Sequence, residues 1–142
     1  METFNCSESD IDTLNGGPKR VRGNFYCKEC HNLTSLEGAP KEVGGDFYCY
    51  HNNLKSLEGS PKFVGGNFAC YNCMKLKDLL GAPEEVEGGF DCSECENLTS
   101  LKGAPIKVGR DFDCSGCDKL TSLDYLPKKI GSDVYAPDHL KK

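Results

Sequence analysis

The stretch Gly44 to Gly66, GGDFYCYHNNLKSLEGSPKFVGG, opens and closes on the same dipeptide. Between its Gly-Gly pairs lie a short alternation, Asp46-Phe47-Tyr48-Cys49, then Leu54 and Leu57, then Gly59-Ser60-Pro61. Alternating polar and apolar residues read as a half-buried strand with Phe47 and Cys49 pointing inward. The Gly and Pro that follow are turn residues and leave no room for a crossover helix on the return path. The pattern recurs along the chain: Pro18, Pro40, Pro61, Pro83, Pro105 and Pro127 stand 22, 21, 22, 22 and 22 residues apart. Val21, Val43, Val64, Val86, Val108 and Ile130 keep that period, as do Phe4, Phe25, Phe47, Phe68, Phe90 and Phe112, with Val134 after them. A fixed period of this length with regularly placed Leu is the signature of a solenoid. The expected fold is a mainly β repeat solenoid forming one domain over residues 1–142. Its six coils of about 22 residues start near 4, 25, 47, 68, 90 and 112, each with one short parallel strand, and a cap covers about 131–142. Stacking such strands at about 4.8 Å places a ladder of Phe rings beside a ladder of thiols.

Composition narrows the classes. The chain of 142 residues is 37% hydrophobic and 27% charged, which is ordinary for a globular domain. A net charge of -5 without clustered Lys or Arg argues against a nucleic-acid partner. No apolar run approaches the length of a membrane span, so no membrane partner is expected. Met1 is followed by polar sequence with neither a basic nor an apolar leader segment. The expected location is therefore a reducing cytoplasm, where the 10 cysteines stay free or bind metal.

The string FYCKECHNLTSL (25–36) is similar to the strand segment of leucine-rich repeats, with Phe25 and Cys27 in strand leucine positions. The wider unit from Asn53 to Cys70, NLKSLEGSPKFVGGNFAC, resembles the bacterial form whose return path carries Pro and no helix. Its texture looks like that of repeat proteins from tailed bacteriophages. One departure is the interval from Val43 to Phe47, one residue longer than in the standard repeat. The resemblance implies a scaffold that binds another protein without catalysis, in the cytoplasm of an infected bacterium. A host defence protein would be one such target.

In leucine-rich repeats the position after the strand is Asn with a short turn or Cys with a longer one, and every copy here fits that rule. Units with Cys30, Cys73, Cys95 and Cys117 place Leu six residues after the first Cys, whereas the unit with Asn52 and the first unit with Ser9 have five. Cysteine identity that tracks turn length reads as buried structural thiols. The rival is zinc: Cys92-x-x-Cys95 and Cys114-x-x-Cys117 have zinc-like spacing, but that spacing is also the repeat period. Disulfides are the third reading. On the first reading the protein has no metal ligands and no cofactor.

His31, His51 and His139 lack partners at convergent spacing, so no catalytic residue is assigned. A partner face is assigned instead to the outward residues of the strands. It changes from Tyr26, Tyr48, Tyr50, His51 and Tyr71 to Asp91, Glu94, Asp111 and Asp113. Exposed Tyr offers contact area at low entropic cost, and the carboxylates would steer a basic partner. The first strand, Phe4 to Cys6, is a candidate homo-oligomeric edge. The rival functional class is a zinc-stabilised structural or virion-assembly protein.

Overall fold

The computed structural model describes residues 2–141. It is a parallel β-solenoid whose coils, each counted from its Phe, carry two short strands. Seven strands form one sheet: β1 (Phe4–Asn5), β3 (Phe25–Tyr26), β5 (Phe47–Tyr48), β7 (Phe68–Ala69), β9 (Phe90–Asp91), β11 (Phe112–Asp113) and β13 (Val134–Tyr135). Six form the other: β2 (Arg20–Val21), β4 (Glu42–Val43), β6 (Phe63–Val64), β8 (Glu85–Val86), β10 (Lys107–Val108) and β12 (Lys129–Ile130). All neighbours within each sheet are parallel and in register, so Phe pairs with Phe and Val with Val down the stack.

The solenoid expectation holds, and the second sheet adds to the single strand expected per coil. The Val strand is only two residues long and sits between Pro and the Gly pair, too short to display alternation. Its hydrogen bonds identify it: Gly44 N–H donates to Val21 O at 2.8 Å and Gly65 N–H to Val43 O at 2.8 Å. The Leu segments are not strands, yet they form a third row of inter-coil bonds, such as Leu36 N–H to Glu58 O at 3.0 Å.

The inward side of each coil is closed by Phe, two Cys positions, two Leu, Pro and Val. From Phe25 to Phe112 the Phe, first-Cys, Leu and Val columns are at most 1% exposed. Rings of Phe25, Phe47, Phe68, Phe90 and Phe112 stack with centroids 5.0 to 5.4 Å apart and planes within 4°. Their parallel offset is set by the strand spacing, which keeps the rings within the favoured range for aromatic pairs.

The return path turns at Leu36-Glu37-Gly38-Ala39, where Ala39 N–H donates to Leu36 O at 2.9 Å and Gly38 takes φ +94°. That is the type II geometry that favours Gly at its third position. Gly59, Gly81 and Gly103 repeat it, and in coil six Tyr125 occupies the same place at φ 72°. After β13, Ala136 is buried in the Cys column, and a short 3-10 turn (Asp138–Leu140) packs Leu140 against the core. Lys142, the last residue of the segment expected to form a cap, lies outside the described residues. No helix among the described residues is long and apolar enough to cross a membrane.

Candidate functional site

Two columns of side chains stand outward on the seven-stranded sheet, and their sequence decides what the face is. The column after Phe runs Asn5, Tyr26, Tyr48, Ala69, Asp91, Asp113, Tyr135. Two residues further on it runs Ser7, Lys28, Tyr50, Tyr71, Ser93, Ser115. The in-register sheet brings the tyrosines together. Tyr26 and Tyr48 lie 5.4 Å apart, Tyr48 and Tyr50 5.9 Å, and Tyr50 stacks on Tyr71 at 4.3 Å with planes 11° apart. His51 meets Tyr50 and Tyr71 edge-on at 5.3 and 5.5 Å. Lys28 Nζ lies 5.7 Å from the centre of the Tyr50 ring, a cation over an aromatic face.

The acidic half is equally ordered. Asp91 and Asp113 are register partners on neighbouring strands. Each holds its own turn, with Oδ1 of Asp91 accepting from Ser93 N–H at 2.9 Å and Ser93 Oγ at 2.6 Å, and Asp113 doing the same with Ser115. Burial raises the Asp91 carboxyl above its ordinary range, and the Asp113 charge adds to that against the lowering effect of the Ser93 bonds. A raised native pKa means that ionised Asp91 costs stability at neutral pH, a cost removed as pH falls through the raised value.

Asp111 has a structural duty that its sequence position did not disclose. The residue preceding each Phe forms an Asx ladder: Asp46 N–H donates to Asn24 Oδ1, Asn67 N–H to Asp46 Oδ1 and Gly89 N–H to Asn67 Oδ1, each at 2.7 Å. Asp111 Oδ1 accepts Asp133 N–H at 2.9 Å in the same way. The ladder is broken once, at Gly89, which has no side chain to offer Asp111 N–H.

Tyr48, Tyr50, Tyr71, Asp91, Asp111 and Asp113 therefore converge on one groove of about 440 Å³, floored by Ala69 and Gly89 and closed at one end by Tyr135. Tyr26 extends the aromatic run beyond the groove, while His51 and Glu94 sit beside the face on a bend. That bend is left-handed in every coil, with φ 58° at His51 and 55° at Glu94. Such backbone costs non-glycine residues about 1–2 kcal/mol each. Tyr135, Ala69 and Gly89 were not selected from the sequence. Tyr135 was legible as the next member of the Tyr48 column; the two small residues carried no positive signal.

The thiols form a separate, inward system. Cys73 Sγ donates to Cys49 O at 3.5 Å, Cys95 Sγ to Cys70 O at 3.4 Å and Cys117 Sγ to Cys92 O at 3.1 Å. Asn52 Nδ2 makes the equivalent bond to Cys27 O at 2.8 Å. The second Cys and the Asn thus share one task, tying a turn to the preceding coil. No group of three or more His, Cys, Asp or Glu among the described residues is placed to hold a metal ion. Burial pushes the thiols up, Cys6 to about 11 and Cys73 and Cys114 to about 12. A thiol-reactive disulfide at about pH 8 is expected to label Cys6 first, because it alone is half-buried, and all ten only after denaturation. Rapid native labelling of several thiols would contradict the buried ladder.

β1 is an outer strand of its sheet, and Phe4 and Cys6 are only partly buried. Searches of protein-family models, curated proteins and solved structures gave no match to this chain.

Proposed function

We propose that the protein is a non-enzymatic interaction module that binds another protein through the outward face of its seven-stranded sheet. The observation that carries this reading is the groove itself. Four tyrosines form a continuous half-buried aromatic run beside three converging carboxylates, on strands whose backbone is held on both sides by neighbouring coils. Rigid aromatic anchors on a preorganised surface are the usual source of interface affinity, and parallel solenoids typically present such surfaces. Its resemblance to leucine-rich repeats of tailed phages supports a setting in infected bacterial cytoplasm, with a host defence protein as target.

The test is a selection of binders from a displayed random peptide library on immobilised protein. Tyr48→Ala/Tyr50→Ala, checked for intact folding, should lose at least about tenfold affinity, about 1.4 kcal/mol, for most selected binders. A pool that binds the double variant as well as the parent would remove the face from consideration.

A further inference from the structure

Resting on that reading of the face, we propose that the notch floored by Ala69 and Gly89 receives an arginine side chain of the partner, its guanidinium stacked on Tyr71 and paired with Asp91 and Asp113. Three independent features of the notch point there.

The first is that the fold does not ask for small residues at these two places. The column of Ala69 carries Tyr or Asp in every neighbouring coil from Tyr26 to Tyr135. The column of Gly89 carries Asn or Asp from Asn24 to Asp133. Gly89 is not in the left-handed region, and the nearest atom to a Cβ there would be Asp111 O at 3.2 Å, which a side chain would have to displace by a few tenths of an ångström. At Gly65, by contrast, a Cβ would fall 2.2 Å from Gly44 O. An Asn at 89 would instead continue the side-chain ladder by accepting Asp111 N–H. The chain thus forgoes a stabilising bond at the floor of its groove, and local inconsistency of this kind marks functional positions.

The second is the shape of the walls. Tyr50 covers one face of the Tyr71 ring, and the opposite face looks toward coil five, where the column shrinks to Ser93. The Tyr71 phenol is pushed up to about 12, first by burial and then by the Tyr50 hydroxyl, so it stays neutral beside the carboxylates. A planar cation fits between such a ring and the strand edge.

The third is charge. Asp91 and Asp113 each commit Oδ1 to a serine, leaving Oδ2 without a protein hydrogen bond among the described residues. Those two acceptors stand on adjacent strands, and a planar guanidinium can donate to both while stacking on Tyr71, whereas a tetrahedral ammonium can pair with them but cannot stack in the same way. No Lys or Arg lines the groove. The ion pairs among the described residues, Arg20–Glu42, Lys62–Glu84 and Lys141–Asp138, all lie elsewhere.

The probe is the blocked pentapeptide Gly-Gly-Arg-Gly-Gly, titrated into isotopically labelled protein and followed by amide shifts, beside peptides with Lys or the neutral isostere citrulline in place of Arg. The arginine peptide should shift Ala69, Gly89, Asp91 and Asp113 with a Kd on the order of millimolar; the lysine peptide should bind more weakly and the citrulline peptide not at all. Gly89→Asn should raise Tm by about 2–4 °C and abolish these shifts, and Asp91→Asn/Asp113→Asn should abolish them in the parent background. Equal responses to arginine and citrulline, equal responses to arginine and lysine, no response, or undiminished shifts in Gly89→Asn would each overturn the assignment. Library-selected binders that require Tyr48 and Tyr50 but still bind Gly89→Asn would sink the notch and leave the face standing. Binders indifferent to both variants would sink both.

Discussion

Phe68→Ala is expected to cost about 3–5 kcal/mol of stability, a large share of the 5–15 kcal/mol typical of a folded domain. Phe68 is fully enclosed, with its ring stacked between Phe47 at 5.3 Å and Phe90 at 5.1 Å. Both neighbouring rings are fixed by backbone ladders, so the space left by the ring cannot close by collapse. The position of the lesion matters as much as its size. Each coil of a solenoid is supported by the coils next to it, so damage in coil four separates coils one to three from five and six. Urea unfolding should show a lower midpoint together with a reduced slope or a second transition. Phe4→Ala serves as the comparison: Phe4 is only partly buried and stacks on Phe25 alone at 5.2 Å, so its loss should cost less than half as much. A loss below about 1 kcal/mol at Phe68 would place the main source of stability outside the ring column.

Asn52 should give the second large effect. It is the one buried polar residue among the described residues, at 2% exposure, and it both donates to Cys27 O and accepts Cys30 N–H. Asn52→Ala leaves two buried backbone groups without partners, at about 1–3 kcal/mol each, so a total loss of about 2–4 kcal/mol is expected. Asn52→Cys should fall between Ala and the parent. A thiol can supply the donor half of the pair, as Cys73 does to Cys49 O, but it sits in coils whose turn is one residue longer. Adding one residue after Asn53 in the Asn52→Cys background should recover most of the deficit. Thermal unfolding of the four proteins gives the order directly. If Asn52→Cys alone matched the parent, turn length and side-chain identity would be unrelated.

These residues also show what the sequence discloses and what it hides. Period, strand position and the inward columns were legible because Phe, Cys, Leu and Val recur at fixed offsets, and a one-dimensional stack turns offsets into contacts. The turn-length rule around Asn52 was legible for the same reason. The thiol bonds were not, because Cys117 Sγ meets Cys92 O 25 residues earlier, across coils rather than within the turn. The Asx ladder was hidden for a related reason. Asn24, Asp46 and Asp111 read as outward residues of the strand face, and only the parallel register shows each side chain reaching the next backbone N–H. The groove floor is the extreme case, since Ala69 and Gly89 matter for what they lack relative to their columns.

The uniform join between coils has a consequence for how such a chain can change. Phe25 to Phe47 and Phe90 to Phe112 meet with nearly the same ring spacing, 5.0 and 5.4 Å, and the same parallel orientation. In the ring column, duplicating or deleting a whole coil therefore creates no join unlike those already present. It would move the tyrosines and the carboxylates apart or together in increments of about 4.8 Å. The molecule is in this sense a graduated rule, in which the number of coils sets the distance between two kinds of side chain without redesign of either.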